Sequence, residues 1–163
     1  MSANYSFNEY DSPNTPPFAM SILQRESAHL GNSGFAHGIV IVPEGISGSC
    51  EVRNCMGDNY IYQELYRNGK LLDANDPCNL RGHMPFIREA GGELLVANAG
   101  LGGFLYRLVR NPRVFHVTVA EPDFDVIELV EPSFSRFADK VTFVHGTWQQ
   151  LARSNDFDLI YLG

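Results

Sequence analysis

Hydrophobic and polar positions divide the chain into three textures. Residues 1–34 are polar and broken by Pro13, Pro16, Pro17, Gly31 and Gly34, with a short apolar stretch only at 18–23. Such a segment buries too little surface by itself to offset its ordering entropy, which predicts an extended arm. Residues 35–82 read as β-rich. The run GIVIVP at 38–43 is β-branched and ends in proline, and a glycine- and serine-rich turn follows at 45–49. YIYQELYR and KLLDA flank Asn68-Gly69, the pair that supplies two positive-φ residues to a type I′ turn, so 60–74 predicts a β-hairpin. Tyr60, Tyr62 and Tyr66 alternate onto one face of it, a spacing that suits packing.

Beyond the hairpin the pattern becomes regular. DANDP carries turn chemistry, a short helix is expected around 81–89, and Gly91-Gly92 is placed to cap it. ELLVAN (93–98), VFHVTVAE (114–121), KVTFVHG (140–146) and FDLIYLG (157–163) then read as strands. Between them LGGFLYRLVRN, FDVIELV and TWQQLARSN read as helices, the first with Phe104, Leu105 and Leu108 on one side. Strand–helix alternation with short connections implies right-handed crossovers and a parallel sheet. The fold class is therefore α/β: a partial Rossmann-like parallel sheet of about four strands over 83–163, preceded by a small β-hairpin segment over 35–82 and an extended arm over 1–34.

One segment carries chemistry. In LLVANAGLGGFLYRLV a buried strand runs into Gly100, Gly102 and Gly103 and then a helix. Glycine suits a sharp turn where a ligand must approach the backbone, and the helix start offers free N–H groups. Glu121 ends the next strand about twenty residues further on, a place from which an acid takes both hydroxyls of a ribose. A dinucleotide fingerprint needs a third glycine where Leu105 stands, which disfavours NAD. The bland alternative is a tight turn beside a solvated strand end.

The stretch 93–130, followed by KVTFVHGTWQQL and FDLIYLG, resembles class I S-adenosylmethionine-dependent methyltransferases, and within them the spermidine-synthase-like branch. There a β-rich segment with a hairpin precedes a glycine strand–turn, and NPRVFHVTVAEPD is similar to that branch's second strand. The resemblance implies S-adenosylmethionine or a related adenosine thioether as ligand. It assigns Asn98, Gly100 and Gly102 to the methionine end, Glu121 to the ribose, and Thr147 and Trp148 to the adenine, with no catalytic residue identified. The sequence departs from the pattern in places: Val96 replaces an acid, Asn98 the first glycine and Thr147 another acid, while Gly163 falls where a fourth-strand acid would stand. Asn is the least costly substitute for glycine at positive φ. The strand at 157–163 would then be an apolar edge needing cover, which predicts an oligomer or a larger assembly.

Composition narrows the partners. A net charge of −7, with Lys and Arg scattered, excludes a phosphate-backbone partner, so no nucleic acid is expected. The longest apolar run is far too short for a membrane span, and the N-terminus lacks the pattern of a signal peptide. A soluble cytoplasmic protein is expected. Cys50, Cys55 and Cys78 make no paired knuckles, Cys50 and Cys55 read as free thiols in loops, and the histidines show no metal spacing, so no metal site is predicted. His116 and His145 fall in strands as structural residues. Three functions follow: a methyltransferase- or spermidine-synthase-like nucleoside-binding domain, a non-catalytic structural or interaction subunit on the same scaffold, or a regulatory module that senses the nucleoside without turning it over.

Overall fold

The computed structural model describes residues 42–57, 61–76, 79, 82–153 and 156–162. The arm at 1–34 and most of the run at 38–43 lie outside these. Among the described residues two four-stranded sheets form, an antiparallel one in the order β1-β2-β3-β4 and a parallel one in the order β7-β6-β5-β8.

The antiparallel sheet consists of β1 (Gly45–Ser47), β2 (Cys50–Met56), β3 (Ile61–Arg67) and β4 (Lys70–Ala74). Asn68 (φ 49°) and Gly69 (φ 75°) form the predicted turn between β3 and β4. Two expectations change here. The glycine-serine segment contributes β1 itself, so that only Gly48 and Ser49 turn, and Cys50 and Cys55 stand on β2 rather than in loops. Short strands of polar and small residues lack the alternation that marks β3, which is why β1 and β2 were missed. Tyr62 and Tyr66 do share a face, both donating to the Glu64 carboxylate. On the opposite face Val52 and Leu65 pair and enter the core. The buried Gln63 side chain is satisfied by the Val42 backbone and Asn54, as a buried amide requires.

The parallel sheet is β5 (Gly92–Ala97), β6 (Val114–Glu121), β7 (Val141–His145) and β8 (Leu159–Tyr161). Helices α1 (Met84–Glu89), α2 (Gly103–Arg110), α3 (Phe124–Val130) and α4 (Trp148–Ala152) accompany it. The sequence expectation put a glycine cap on α1, but the helix ends at extended Ala90. Gly92 (φ 76°) instead opens β5, where the Asp158 carboxylate fills the space of a Cβ. A 3-10 stretch, Glu131–Phe137, follows α3 and buries Phe134; proline at its start and a single apolar anchor gave no periodic signal.

Leu105, Leu108 and Val109 bury one side of α2 against the sheet. Each such side chain contributes roughly 1.5–3 kcal/mol by leaving water. Helix α3 packs on β1 and β2 as well as on β6 and β7. One continuous core therefore joins the sheets, running from Val52 and Leu65 to Leu94, Val96 and Phe134. His116 and His145 are hydrogen-bonded on their strands, to Thr142 and to the Pro122 carbonyl. Strand β8 pairs with β5 and has no second neighbour among the described residues. No helix among the described residues is long and apolar enough to cross a membrane.

Candidate functional site

Chain order and spatial order part company at β5. The chain steps outward from β5 to β6 to β7, then crosses to β8 on the far side of β5. Such a switch leaves a crevice at the carboxyl ends of the strands, where ligands of open α/β sheets bind.

The backbone at the end of β5 reverses through three left-handed residues, Asn98 (φ 68°), Gly100 (φ 51°) and Gly102 (φ 73°), before α2 begins. Asn98 still hydrogen-bonds the Ala120 carbonyl and so holds the strand register to its last residue. A Cβ at Gly100 would strike the Asp73 carboxylate, and one at Gly102 would stand 2.7 Å from the Phe134 ring. The glycines are thus demanded by the chain's own side chains as well as by the turn.

Glu121 ends β6 at 4% exposure. The Ala99 N–H donates to its Oε2 at 2.8 Å and the Asp123 N–H to its Oε1 at 3.0 Å. Burial pushes its carboxyl above the ordinary value, against the pull of those two N–H groups. Each oxygen keeps one acceptor position beyond its internal bond. Next to it, Asp123 caps α3 by accepting the Asp125 N–H, pairs with Arg67 and takes the Cys50 thiol. Burial opposes the charged Asp123, but these partners outweigh it and hold its carboxyl below the usual range.

From the other sheet, β4 grips the glycine turn. Asp73 Oδ2 accepts the Leu101 N–H at 2.7 Å, and the Asn75 side chain donates to the Leu101 carbonyl at 3.3 Å. Between β4 and the turn lies a cavity of about 470 Å³, within the range of small-molecule pockets. Asn98, Gly100, Gly102 and Glu121 line it, together with Asp73, His83, Phe104 and Tyr161. His83 Nδ1 meets the Tyr161 hydroxyl at 2.5 Å, inside a cluster of rings that includes Phe86 and Phe104. Burial pushes the His83 imidazole below its ordinary pKa, partly offset by Asp73, and lifts the Tyr161 phenol above its own.

Thr147 and Trp148 stand outside the lining. The Thr147 N–H and hydroxyl both meet the Gln150 side chain, fixing the start of α4, and Trp148 is half-buried on that helix. Their turn is nonetheless tied to the site, since the Gly146 N–H donates to the Glu121 carbonyl. Val96 packs into the core. Cys50, Asp123 and Asp125 approach within 4.8 Å of one another. Arg67 already neutralises Asp123, and Ser49 donates twice to Asp125.

Sequence reasoning missed Asp73, Asn75, His83 and Tyr161. Asp73 and Asn75 were visible only as turn-forming residues in DANDP, and no spacing rule links His83 to Tyr161.

No protein-family model matches this sequence, and no curated protein matches it significantly. Solved structures do. Spermidine synthase from Thermotoga maritima superposes with a TM-score of 0.52 at 20% identity, over 74% of this chain and 47% of that one. The fold is shared with spermidine synthase. A second spermidine synthase structure, in complex with the transition state analogue AdoDATO, aligns at 20% identity and a TM-score of 0.52, over 74% and 45% of the two chains. This chain spans about half the length of those spermidine synthases. At that identity the likeness establishes the α/β, Rossmann-like fold alone.

Proposed function

We propose that the crevice binds an adenosine thioether of the S-adenosylmethionine type. Glu121 takes the ribose hydroxyls, and the backbone from Asn98 to Gly102 faces the ligand's amino-acid end. The observation that carries this reading is the Ala99–Glu121 hydrogen bond, which fixes the acid and the glycine turn as walls of one cavity. The residues fit the ligand: a carboxylate with acceptor positions left, an exposed Asn98, and a cavity of suitable volume. AdoDATO in a structurally similar spermidine synthase supports the ligand class.

Such a ligand supplies an activated carbon beside sulfur, and the protein's part is to hold it in place. On this reading Thr147 and Trp148 flank the adenine, from the turn that Gly146 ties to Glu121. Differential scanning fluorimetry with 5′-methylthioadenosine tests the proposal. The melting temperature should rise with ligand, and Glu121→Gln should remove most of the rise. No shift at millimolar ligand would overturn the reading.

A structural or interaction subunit is the second reading. It is favoured by the glycines, which the Asp73 and Phe134 contacts already explain, and by Thr147, whose polar groups are engaged within α4. It requires assembly with further copies or other chains. A well-behaved monomer in sedimentation velocity would count against it.

A further inference from the structure

We propose that Arg67 is a positioning residue for the ribose acid: reaching from β3 of the antiparallel sheet, it holds Asp123 and thereby sets the place and charge of Glu121. The inference rests on the nucleoside reading above for the role of Glu121, but the coupling between the two residues is measurable without any ligand.

The tether has two links. Arg67, the last residue of β3, pairs its guanidinium with the Asp123 carboxylate, which also takes the Cys50 thiol from β2 at 3.4 Å. The Asp123 backbone N–H then donates to Glu121 Oε1 at 3.0 Å. Between the two acids stands Pro122, whose ring fixes φ. Holding the Asp123 side chain therefore limits where its N–H, and the carboxylate bonded to it, can stand.

Joining the two sheets is a task that other residues already perform. Ser47 donates to Glu128 and Ser49 donates twice to Asp125, which ties the end of β1 and its turn to α3. The Arg67 side chain is 41% exposed, and an ion pair open to water adds little stability. What Arg67 adds is charge. It is the only lysine or arginine among the described residues that line the cavity, and Glu121 lines the same cavity.

Burial is the main force lifting the Glu121 carboxyl; the Asp123 charge adds to it and the Arg67 charge opposes it. The other titratable groups nearby are engaged elsewhere. Cys50 is a neutral thiol, raised chiefly by its burial. From β7, His145 lies in register with Glu121 but donates to the Pro122 carbonyl. From β4, Asp73 is turned to the Leu101 and Ala74 N–H groups, and His83 and Tyr161 bond each other. An ionised Glu121 accepts from both hydroxyls of a ribose, whereas a protonated one gives up an acceptor position. Arg67 thus extends ribose binding to lower pH.

Carbon-13 NMR of the glutamate carboxyl groups, assigned with Glu121→Gln, follows the Glu121 titration in the full chain. Arg67→Met should raise its midpoint by about half a pH unit or more, and Asp123→Asn should lower it. Arg67→Lys, which keeps the charge, should restore most of the wild-type midpoint. In a parallel arm 5′-methylthioadenosine is titrated across a pH series, and Arg67→Met should lose binding at correspondingly higher pH than wild type. A merely structural role would lower the urea midpoint of Arg67→Met and leave the Glu121 titration in place. That result overturns the proposal, as does a shift of the same sign in Arg67→Met and Asp123→Asn. A wild type that never binds 5′-methylthioadenosine, with a Glu121 midpoint that still follows Arg67, removes the nucleoside reading and keeps the coupling. Nucleoside binding that Glu121→Gln abolishes, with an Arg67→Met pH course like that of wild type, removes only the positioning role.

Discussion

The two ends of the crevice are built by opposite means. At the Glu121 end, neighbours in sequence and along one strand pair do the work: the backbone N–H groups of Ala99 and Asp123 clamp the carboxylate. At the His83–Tyr161 end, side chains from α1's approach, α2 and β8 meet through ring contacts and a single hydrogen bond. The first end is rigid because both its partners are backbone. The second is shaped by aromatic packing, with Phe86, Phe104 and Tyr161 lying against the core.

The largest expected effect strikes the frame beneath both ends. Leu108→Ala empties a fully buried site on α2 and should cost about 2–5 kcal/mol in urea unfolding. Asp73→Ala should cost about 1–3 kcal/mol by leaving the Leu101 N–H without its acceptor. A smaller loss would mean that β4 does not hold the glycine turn.

Two pH comparisons sharpen the contrast between the ends. Burial raises Glu121 above its ordinary 4.5, so the folded state binds that proton more tightly than the unfolded chain does. The resulting stability is complete below pH 4.5 and fades as pH rises through the folded value. Wild type should therefore lose stability relative to Glu121→Gln over that rise, measured by denaturant midpoints. His83 has the opposite sign. Burial lowers it from 6.5, so its contribution is present above that pH and is lost as pH falls through the folded value. Asp73 and Tyr161 are the titratable groups facing it. His83→Phe should abolish this small acid-side loss, and an unchanged profile would place the imidazole in solvent.

The same contrast explains what was legible in the sequence. The Asn68-Gly69 hairpin, the strand–helix alternation and Glu121 all depend on residues close together in the chain, and local rules find them. Strand β8 was legible as a strand from its place in the alternation. The His83–Tyr161 pair joins residues 78 positions apart, and nothing in either neighbourhood signals the other. Asp73 reads as a turn residue until β4 folds against Leu101. Thr147 shows the converse: a polar residue at a ligand-facing position by pattern is engaged by Gln150 on its own helix. Strand β1 escaped notice because Gly45–Ser47 has a turn's composition, and its strand state comes from pairing with β2.

Calorimetric titration of 5′-methylthioadenosine into wild type and Glu121→Gln bears most directly on the site. Saturable binding to wild type, weakened at least about tenfold in the variant while Tyr161→Phe binds as wild type does, is the expected result. Equal binding to wild type and Glu121→Gln, or none to either, would contradict a ribose site at the end of β6.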